Sequence, residues 1–148
     1  MTLAMDDILW SIDPDNDNMQ NFISRLKEYV NTLCHQYNVK IELIADKRSS
    51  KLPVNMSVRN DVYWLFKGGI TNVVRAGACN CHIQIRFEKP NLIYKLRFDT
   101  AAIDMDQLHS LRQRGDLTEK LKKLRAKLDF NEQEGEGVFV LSIPVGGV

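Results

Sequence analysis

Apolar residues recur at helical spacing along two stretches of the chain. The first stretch follows a polar cluster at residues 15–18 and carries a stripe at three- and four-residue intervals, formed by Met19, Phe22, Ile23, Leu26, Tyr29, Val30, Leu33 and Tyr37. The second stretch covers about residues 57–75 and carries a stripe formed by Val58, Val62, Leu65, Phe66, Ile70 and Val73. This spacing places apolar side chains on one helix face, so the pattern predicts two amphipathic helices.

Other stretches alternate apolar and polar residues with a period of two, which is typical of strands. Residues 81–88 and 92–98 form a pair around the turn at residues 89–91, and residues 139–143 predict a last strand. A shorter alternation at Val39, Ile41 and Leu43 predicts one more. Alternation this regular indicates a sheet covered on one face. The sequence therefore predicts an α+β two-layer sandwich, with a mixed, mostly antiparallel sheet and helices on one face.

Residues 104–128 are predicted to be mostly helical, with a break at Gly115. The second part of this stretch is rich in lysine between positions 120 and 127. Because Glu119 and Asp129 flank these lysines and the rest of the chain is nearly neutral, we expect a solvated helix face rather than a phosphate-binding surface.

Composition narrows the class of protein. A chain of 148 residues with 44% hydrophobic and 26% charged residues is typical of one soluble globular domain. The 20 basic and 19 acidic residues leave a formal charge of +1, so composition indicates neither nucleic acid nor an anionic membrane as a partner. No apolar run approaches the length of a membrane span, and three cysteines fit a reducing compartment, so a cytoplasmic location is expected.

Cys79, Cys81 and His82 form the densest group of potential metal ligands. A structural zinc site usually has four ligands, and Cys34-His35 is the only other candidate pair. Cys81 also falls on the apolar phase of its predicted strand, which favours a buried thiol. A small metal-binding domain is therefore the least favoured of the functions considered.

Two glycine motifs lack a unique explanation in the sequence. Gly68-Gly69 interrupts the second predicted helix at a cost of about 1 kcal/mol per glycine relative to alanine. This pair fits either neutral sequence change in a helix that tertiary packing stabilises, or the close approach of another group to the backbone. Gly135-Glu136-Gly137 precedes the last strand and fits either an ordinary turn or close contact with a ligand.

Taken together, these segments resemble the ATPase domain of sensor histidine kinases. Residues 7–14, which read Asp-Ile-Leu-Trp-Ser-Ile-Asp-Pro, are similar to the junction that follows the family's two-helix dimerisation module. Residues 59–67 resemble the approach to the family's N box, which continues here as Lys67-Gly68-Gly69-Ile70-Thr71-Asn72-Val73-Val74-Arg75-Ala76. The resemblance implies that residues 1–14 end the dimerisation module or form a linker, and that residues 15–148 form the ATPase domain.

The resemblance implies a nucleotide site with several residues retained. Asn72 matches the asparagine that ligates Mg²⁺, a role that suits an amide oxygen, and Arg75 stands where a basic residue meets phosphate. Asp99 matches the aspartate that accepts a hydrogen bond from the adenine amino group. Gly135 and Gly137 are added to the expected nucleotide-binding set because glycines before a strand allow a ligand to approach the backbone closely. The cofactors implied are ATP and Mg²⁺.

The same comparison predicts that catalysis is impaired. Gly68 stands where the family has a glutamate that orients the attacking group, and glycine has no side chain for this task. The family's Asn-Gly-x-Gly after the aspartate is replaced by residues 100–103, Thr-Ala-Ala-Ile, and the lid is reduced to about residues 115–117. The chain after Ala126 is also short, so one family strand is expected to be lost or rudimentary.

A complete kinase is not expected from this chain, because His35, His82 and His109 all fall within the ATPase fold and none matches a phosphoacceptor. The main expectation is the ATP-binding domain of a two-component sensor histidine kinase with impaired or lost phosphotransfer. The alternative is a pseudo-ATPase interaction module that does not bind nucleotide. Both imply the dimerisation module of the same or a related kinase and a response regulator as partners, within a longer, membrane-associated sensor but without nucleic acid or direct membrane insertion.

Overall fold

The computed structural model describes residues 19–50, 56–88, 90–101, 103, 104, 106 and 115–144. The helices in these ranges are α1 (Met19–Tyr37), α2 (Lys47–Ser50), α3 (Met56–Ala76) and α4 (Gly115–Leu124). The strands are β1 (Lys40–Ala45), β2 (Asn80–Glu88), β3 (Asn91–Asp99), β4 (Lys127–Gln133) and β5 (Glu136–Pro144). None of these helices is long and apolar enough to cross a membrane. The predicted junction at residues 1–14 lies outside the described ranges.

The strands form one sheet in the order β1-β2-β3-β5-β4. Strand β1 runs parallel to β2, and the other neighbouring strands are antiparallel. Backbone hydrogen bonds fasten β1 at both ends, from Lys40 N to Cys79 O (3.0 Å) and from Asp46 N to Ile85 O (3.0 Å). The predicted mixed, mostly antiparallel sheet with helices packed on it is therefore confirmed.

Aromatic side chains join the helices to the middle of the sheet. Phe66 of α3 stacks on Tyr94 of β3 with ring centroids 4.3 Å apart, and the Tyr94 hydroxyl donates to the Phe66 carbonyl at 3.3 Å. Phe22 of α1 meets the Phe66 and Tyr63 rings edge to face at 5.6 and 5.5 Å. These geometries are favourable for aromatic pairs. The apolar stripes of α1 and α3 therefore pack into one core on β3.

The chain beyond α4 differs from the predicted helix. Helix α4 ends at Leu124, and Arg125 has a φ of 56°, a left-handed conformation that commonly ends helices. Strand β4 then pairs with β5 along its whole length. The expectation that a strand was lost here was therefore wrong. Phe130 of β4 supplies the physical reason, because its ring lies 4.6 Å from the Phe139 ring and anchors a strand that is otherwise mostly polar.

The lysine-rich face of α4 is only partly solvated. Lys120 Nζ lies 3.0 Å from Asp61 Oδ1, and Lys123 Nζ lies 2.8 Å from Asp61 Oδ2. Lys120 Nζ is also 5.1 Å from the centroid of the Trp64 ring, a distance at which a cation is attracted to the ring face. Two of the lysines expected to face solvent therefore attach α4 to α3.

Three phenylalanine rings pack together on the helix-facing side of β3, β5 and β4. Phe98 stacks with Phe130 at 6.2 Å and with Phe139 at 5.6 Å. Gly137 lies directly opposite Phe98, and a Cβ atom at Gly137 would lie 2.6 Å from Phe98 Cζ and 3.2 Å from Phe130 Cε1. The ring of Phe98 thus occupies the space that any other side chain at position 137 would need.

Replacing Gly137 is therefore expected to destabilise the domain. Gly137→Ala forces the packed Phe98 ring to move, which costs about 1–3 kcal/mol in unfolding free energy by denaturant titration. In the double variant Phe98→Leu/Gly137→Ala the two costs should be less than additive, because the smaller side chain relieves the clash. Strict additivity, or an unchanged denaturation midpoint for Gly137→Ala, would contradict this account of the packing.

Candidate functional site

The candidate residues lie near one end of the sheet, where α3 and β3 both terminate. Asn72 and Arg75 belong to the last two turns of α3, and Asp99 is the last residue of β3. The Asp104 N–H donates to the carbonyl of Ala76 at 3.1 Å, which ties the chain after β3 to the end of α3. The fold thus collects segments that are separated in the sequence at this end.

Asp99 holds two strands together. Its Oδ1 atom accepts hydrogen bonds from the backbone N–H groups of Cys79 at 3.0 Å and Asn80 at 2.9 Å. Asn80 begins β2 and directly precedes Cys81, which pairs with Phe98, the neighbour of Asp99, in the sheet register. Hydrogen bonds to an ionised acceptor are stronger than neutral ones. One oxygen of this carboxylate is therefore committed to fixing the start of β2 against the end of β3.

Phe98, the neighbour of Asp99, faces the helical layer. The buried residues of β3 on that face alternate along the strand as Leu92, Tyr94, Leu96 and Phe98. Asp99 is half-buried and follows them at the strand terminus. At this end of β3 the ring of Phe98, and not the carboxylate of Asp99, therefore packs against Phe130 and Phe139.

The helix position predicted to lack a catalytic acid is open. A Cβ atom built on Gly68 meets nothing within 4 Å, whereas one on Gly69 meets the Tyr94 ring at 3.8 Å, an ordinary contact. Asn72 follows Gly68 by four residues and is half-buried, so both lie on the same side of α3. Arg75 is exposed one turn closer to the helix end.

A buried polar network beside Gly68 was not anticipated from the sequence. Lys67 is only 8% exposed, and its Nζ lies 4.6 Å from the centroid of the Tyr29 ring and 5.8 Å from that of Tyr63. The Thr71 hydroxyl donates to the Lys67 carbonyl at 2.7 Å and pairs with the Tyr29 hydroxyl at 2.5 Å. The four-residue spacing of Lys67 and Thr71 was the only available signal, and it did not identify their shared partner Tyr29 on α1.

The predicted turn glycines have different surroundings. Gly135 has a φ of 77°, a conformation that L side chains rarely adopt, and its carbonyl accepts a hydrogen bond from Thr100 N at 2.9 Å. The β4–β5 turn is therefore tied to the chain that leaves Asp99. Gly137 lies two residues further along, beneath the Phe98 ring. Both glycines thus have conformational or packing reasons to be glycine.

The cysteine cluster does not converge on one point. Cys81 is 1% exposed, and burial, together with nearby Asp99, Cys34 and Cys79, raises the pKa of its thiol to about 12. His82 is exposed on the other face of the strand, with Nδ1 3.5 Å from Glu42 Oε2. Within the described residues, no three His, Cys, Asp or Glu side chains are grouped to hold a metal ion. The predicted buried thiol at Cys81 is confirmed.

Comparison with known proteins gives different results for sequence and structure. No protein-family model matches the chain, and no curated protein matches it in sequence. Several solved structures match its fold. The catalytic domain of histidine kinase ThkA has a TM-score of 0.63 at 12% identity, covering 86% of this chain and 93% of that domain. Histidine kinase AdeS from Acinetobacter baumannii has a TM-score of 0.62 at 13% identity, covering 95% and 76%.

A third match is the blue-light activated histidine kinase of Erythrobacter litoralis EL346, with a TM-score of 0.61 at 15% identity. The match covers 83% of this chain but only 41% of that kinase, and 61% of its kinase domain solved separately. The chain thus corresponds to part of that longer kinase. At these identities the similarity concerns the fold, and by that criterion the chain has the fold of a histidine kinase catalytic domain.

Proposed function

We propose that this chain is a histidine kinase-type ATPase domain that has lost phosphotransfer and acts in two-component signalling through protein contacts. The observation that carries the proposal is the lack of a side chain at Gly68. The sensor histidine kinase ATPase domains that this chain resembles have their catalytic glutamate at that position. The partners we propose are the dimerisation module of the same or a related kinase and a response regulator. A cytoplasmic location fits these partners.

Gly68 lacks a functional group in a place that has room for one. The open space around its Cβ position means that crowding does not exclude a larger side chain. Phosphoryl transfer depends on groups that position the nucleophile and balance charge, and a helix backbone alone does not supply a carboxylate. We therefore attribute the proposed loss of catalysis to the missing carboxylate side chain at position 68, and not to a change in the helix around that position.

Asp99 supports the further proposal that nucleotide affinity is also lost. The resemblance assigns its carboxylate to adenine, but Oδ1 already accepts two backbone hydrogen bonds at the start of β2. The adjacent Phe98 ring packs into the space beside Gly137. Both observations favour a structural role for this end of β3. On this proposal the domain signals without binding ATP.

Retained Mg-ATP binding is the second candidate function. Asn72 is half-buried and Arg75 is exposed on the same end of α3, so an amide oxygen and a guanidinium are accessible there. These are the groups that the resemblance assigns to Mg²⁺ and phosphate. Asp99 Oδ2 is not used in the two hydrogen bonds to β2. This candidate predicts binding without turnover.

Calorimetric titration with Mg-ATP separates the two candidates. We expect no binding heat even when the nucleotide is present at about millimolar concentration. A dissociation constant of about 1 mM is the weakest that we would assign to a specific site. Asn72→Ala, which removes the proposed Mg²⁺ ligand, should give the same flat titration. Micromolar binding that is lost in Asn72→Ala would instead establish the second candidate.

Substitutions at Gly68 test whether the missing carboxylate alone explains the proposed loss of catalysis. Gly68→Ala and Gly68→Glu should each raise the unfolding free energy by up to about 1 kcal/mol, because a helix former replaces glycine in open space. Fused to a dimerisation module, the Gly68→Glu variant should still not autophosphorylate, because the glycines expected after Asp99 are absent. Measurable phosphorylation of that fusion would overturn this part of the proposal. Gly69→Ala, which contacts Tyr94, serves as the comparison for stability.

The structural role of Asp99 makes a separate prediction. Asp99→Ala removes the acceptor of two exposed backbone N–H groups, which water can then hydrate, and should cost about 0.5–1.5 kcal/mol in unfolding free energy. Asp99→Asn keeps one oxygen acceptor and should cost less. If denaturant titration finds Asp99→Ala as stable as the wild type, the carboxylate is not needed to join β2 to β3.

A further inference from the structure

Leucine side chains and an ion-pair cluster are among the contacts that attach helix α4 to α3. Leu117, Leu121 and Leu124 recur at four- and three-residue spacing and pack against the core. Between them, Lys120 and Lys123 both reach the carboxylate of Asp61 on α3, at 3.0 and 2.8 Å. We name Asp61, Lys120 and Lys123 the Asp61 cluster. Among the described elements, α3 is the main neighbour of α4.

Burial is unequal within the Asp61 cluster. Asp61 is 7% exposed, whereas the side chains of Lys120 and Lys123 are 30% and 61% exposed. Burial by itself would raise the Asp61 pKa, but the hydrogen bonds and charges of Lys123 and Lys120 outweigh it, and the pKa lies below its usual value. The carboxylate is therefore ionised at neutral pH, and both cations that compensate it come from α4.

A buried carboxylate without compensation is strongly unfavourable. Removing one partner of a buried ion pair destabilises a protein far more than replacing the whole pair by apolar residues. If both lysine charges are lost, Asp61 must either take up a proton or regain solvation where water replaces α4. The leucine stripe of α4 opposes this movement, so docking of the helix depends on which of the two effects is larger.

We propose that the Asp61 cluster is a conformational switch that controls the docking of α4. With the lysine charges in place, α4 lies on α3. When those charges are neutralised, α4 leaves as a unit to hydrate Asp61, while α1, α3 and the sheet keep their structure. The switch does not depend on whether the domain binds nucleotide.

Hydrogen exchange measured by mass spectrometry on the whole chain tests the switch. In Lys120→Met/Lys123→Met, amide exchange in residues 115–124 should accelerate about a hundredfold, the lower range expected for a buried ion deprived of its partners. Exchange in α1, in most of α3 and in β2, β3 and β5 should be unchanged. Lys123→Met alone should have a much smaller effect because Lys120 still compensates Asp61. Lys122→Met, which alters an exposed lysine of the same helix, is the matched control.

A third substitution distinguishes two causes of faster exchange in α4. One cause is the uncompensated charge of Asp61, and the other is a general loss of helix stability from the two lysine substitutions. Adding Asp61→Leu to the double variant removes the buried charge, so the triple variant should recover the exchange protection of α4. Unchanged protection in the double variant would mean that the leucine stripe alone holds α4, and would overturn the proposal. Unrecovered protection in the triple variant, or global unfolding of the double variant, would overturn it as well.

Discussion

The fold depends on the contact between α3 and the central strand β3. Phe66 stacks on Tyr94, and the Tyr94 hydroxyl uses the Phe66 carbonyl as its acceptor, so the pair fixes both the distance and the rotation of the helix on the sheet. Aromatic pairs with a satisfied polar group combine a large buried area with a defined geometry. Because Gly68 and Asn72 follow Phe66 on the same helix, this contact also determines where the candidate site lies.

Most of the fold could be predicted because its elements have strong periodicity. The stripes of α1 and α3 and the alternation of β2, β3 and β5 place apolar residues on one side with few exceptions. Strand β4 was missed because it lies at the sheet edge and only Leu128 and Phe130 are partly buried along it. Its charged residues resembled a continuation of the lysine-rich helix. The left-handed conformation of Arg125, which separates the two, has no signal in composition or periodicity.

The motif resemblance selected candidate residues but could not predict their contacts, and their role as a nucleotide site stays a prediction. The motif resemblance selected Asn72, Arg75 and Asp99, and the fold brings the ends of α3 and β3 to one end of the sheet. A motif does not reveal that the Asp99 carboxylate accepts two backbone hydrogen bonds, since those donors come from a segment about twenty residues away. The pairing of Lys67 with Tyr29 was missed for the same reason. Such contacts depend on tertiary packing, which local patterns do not encode.

Strand β1 has a consequence for how the domain assembles. Its pairing with β2 is the only parallel pairing in the described sheet, and the chain between the two strands includes all of α3. Parallel neighbours require such a crossover, whereas β2 with β3 and β4 with β5 are joined by short turns. The hairpins depend on contacts between neighbouring segments, whereas the pairing of β1 with β2 spans the whole α3 crossover. We therefore expect closure of the core and completion of the sheet edge to be coupled, because the α3 crossover takes part in both.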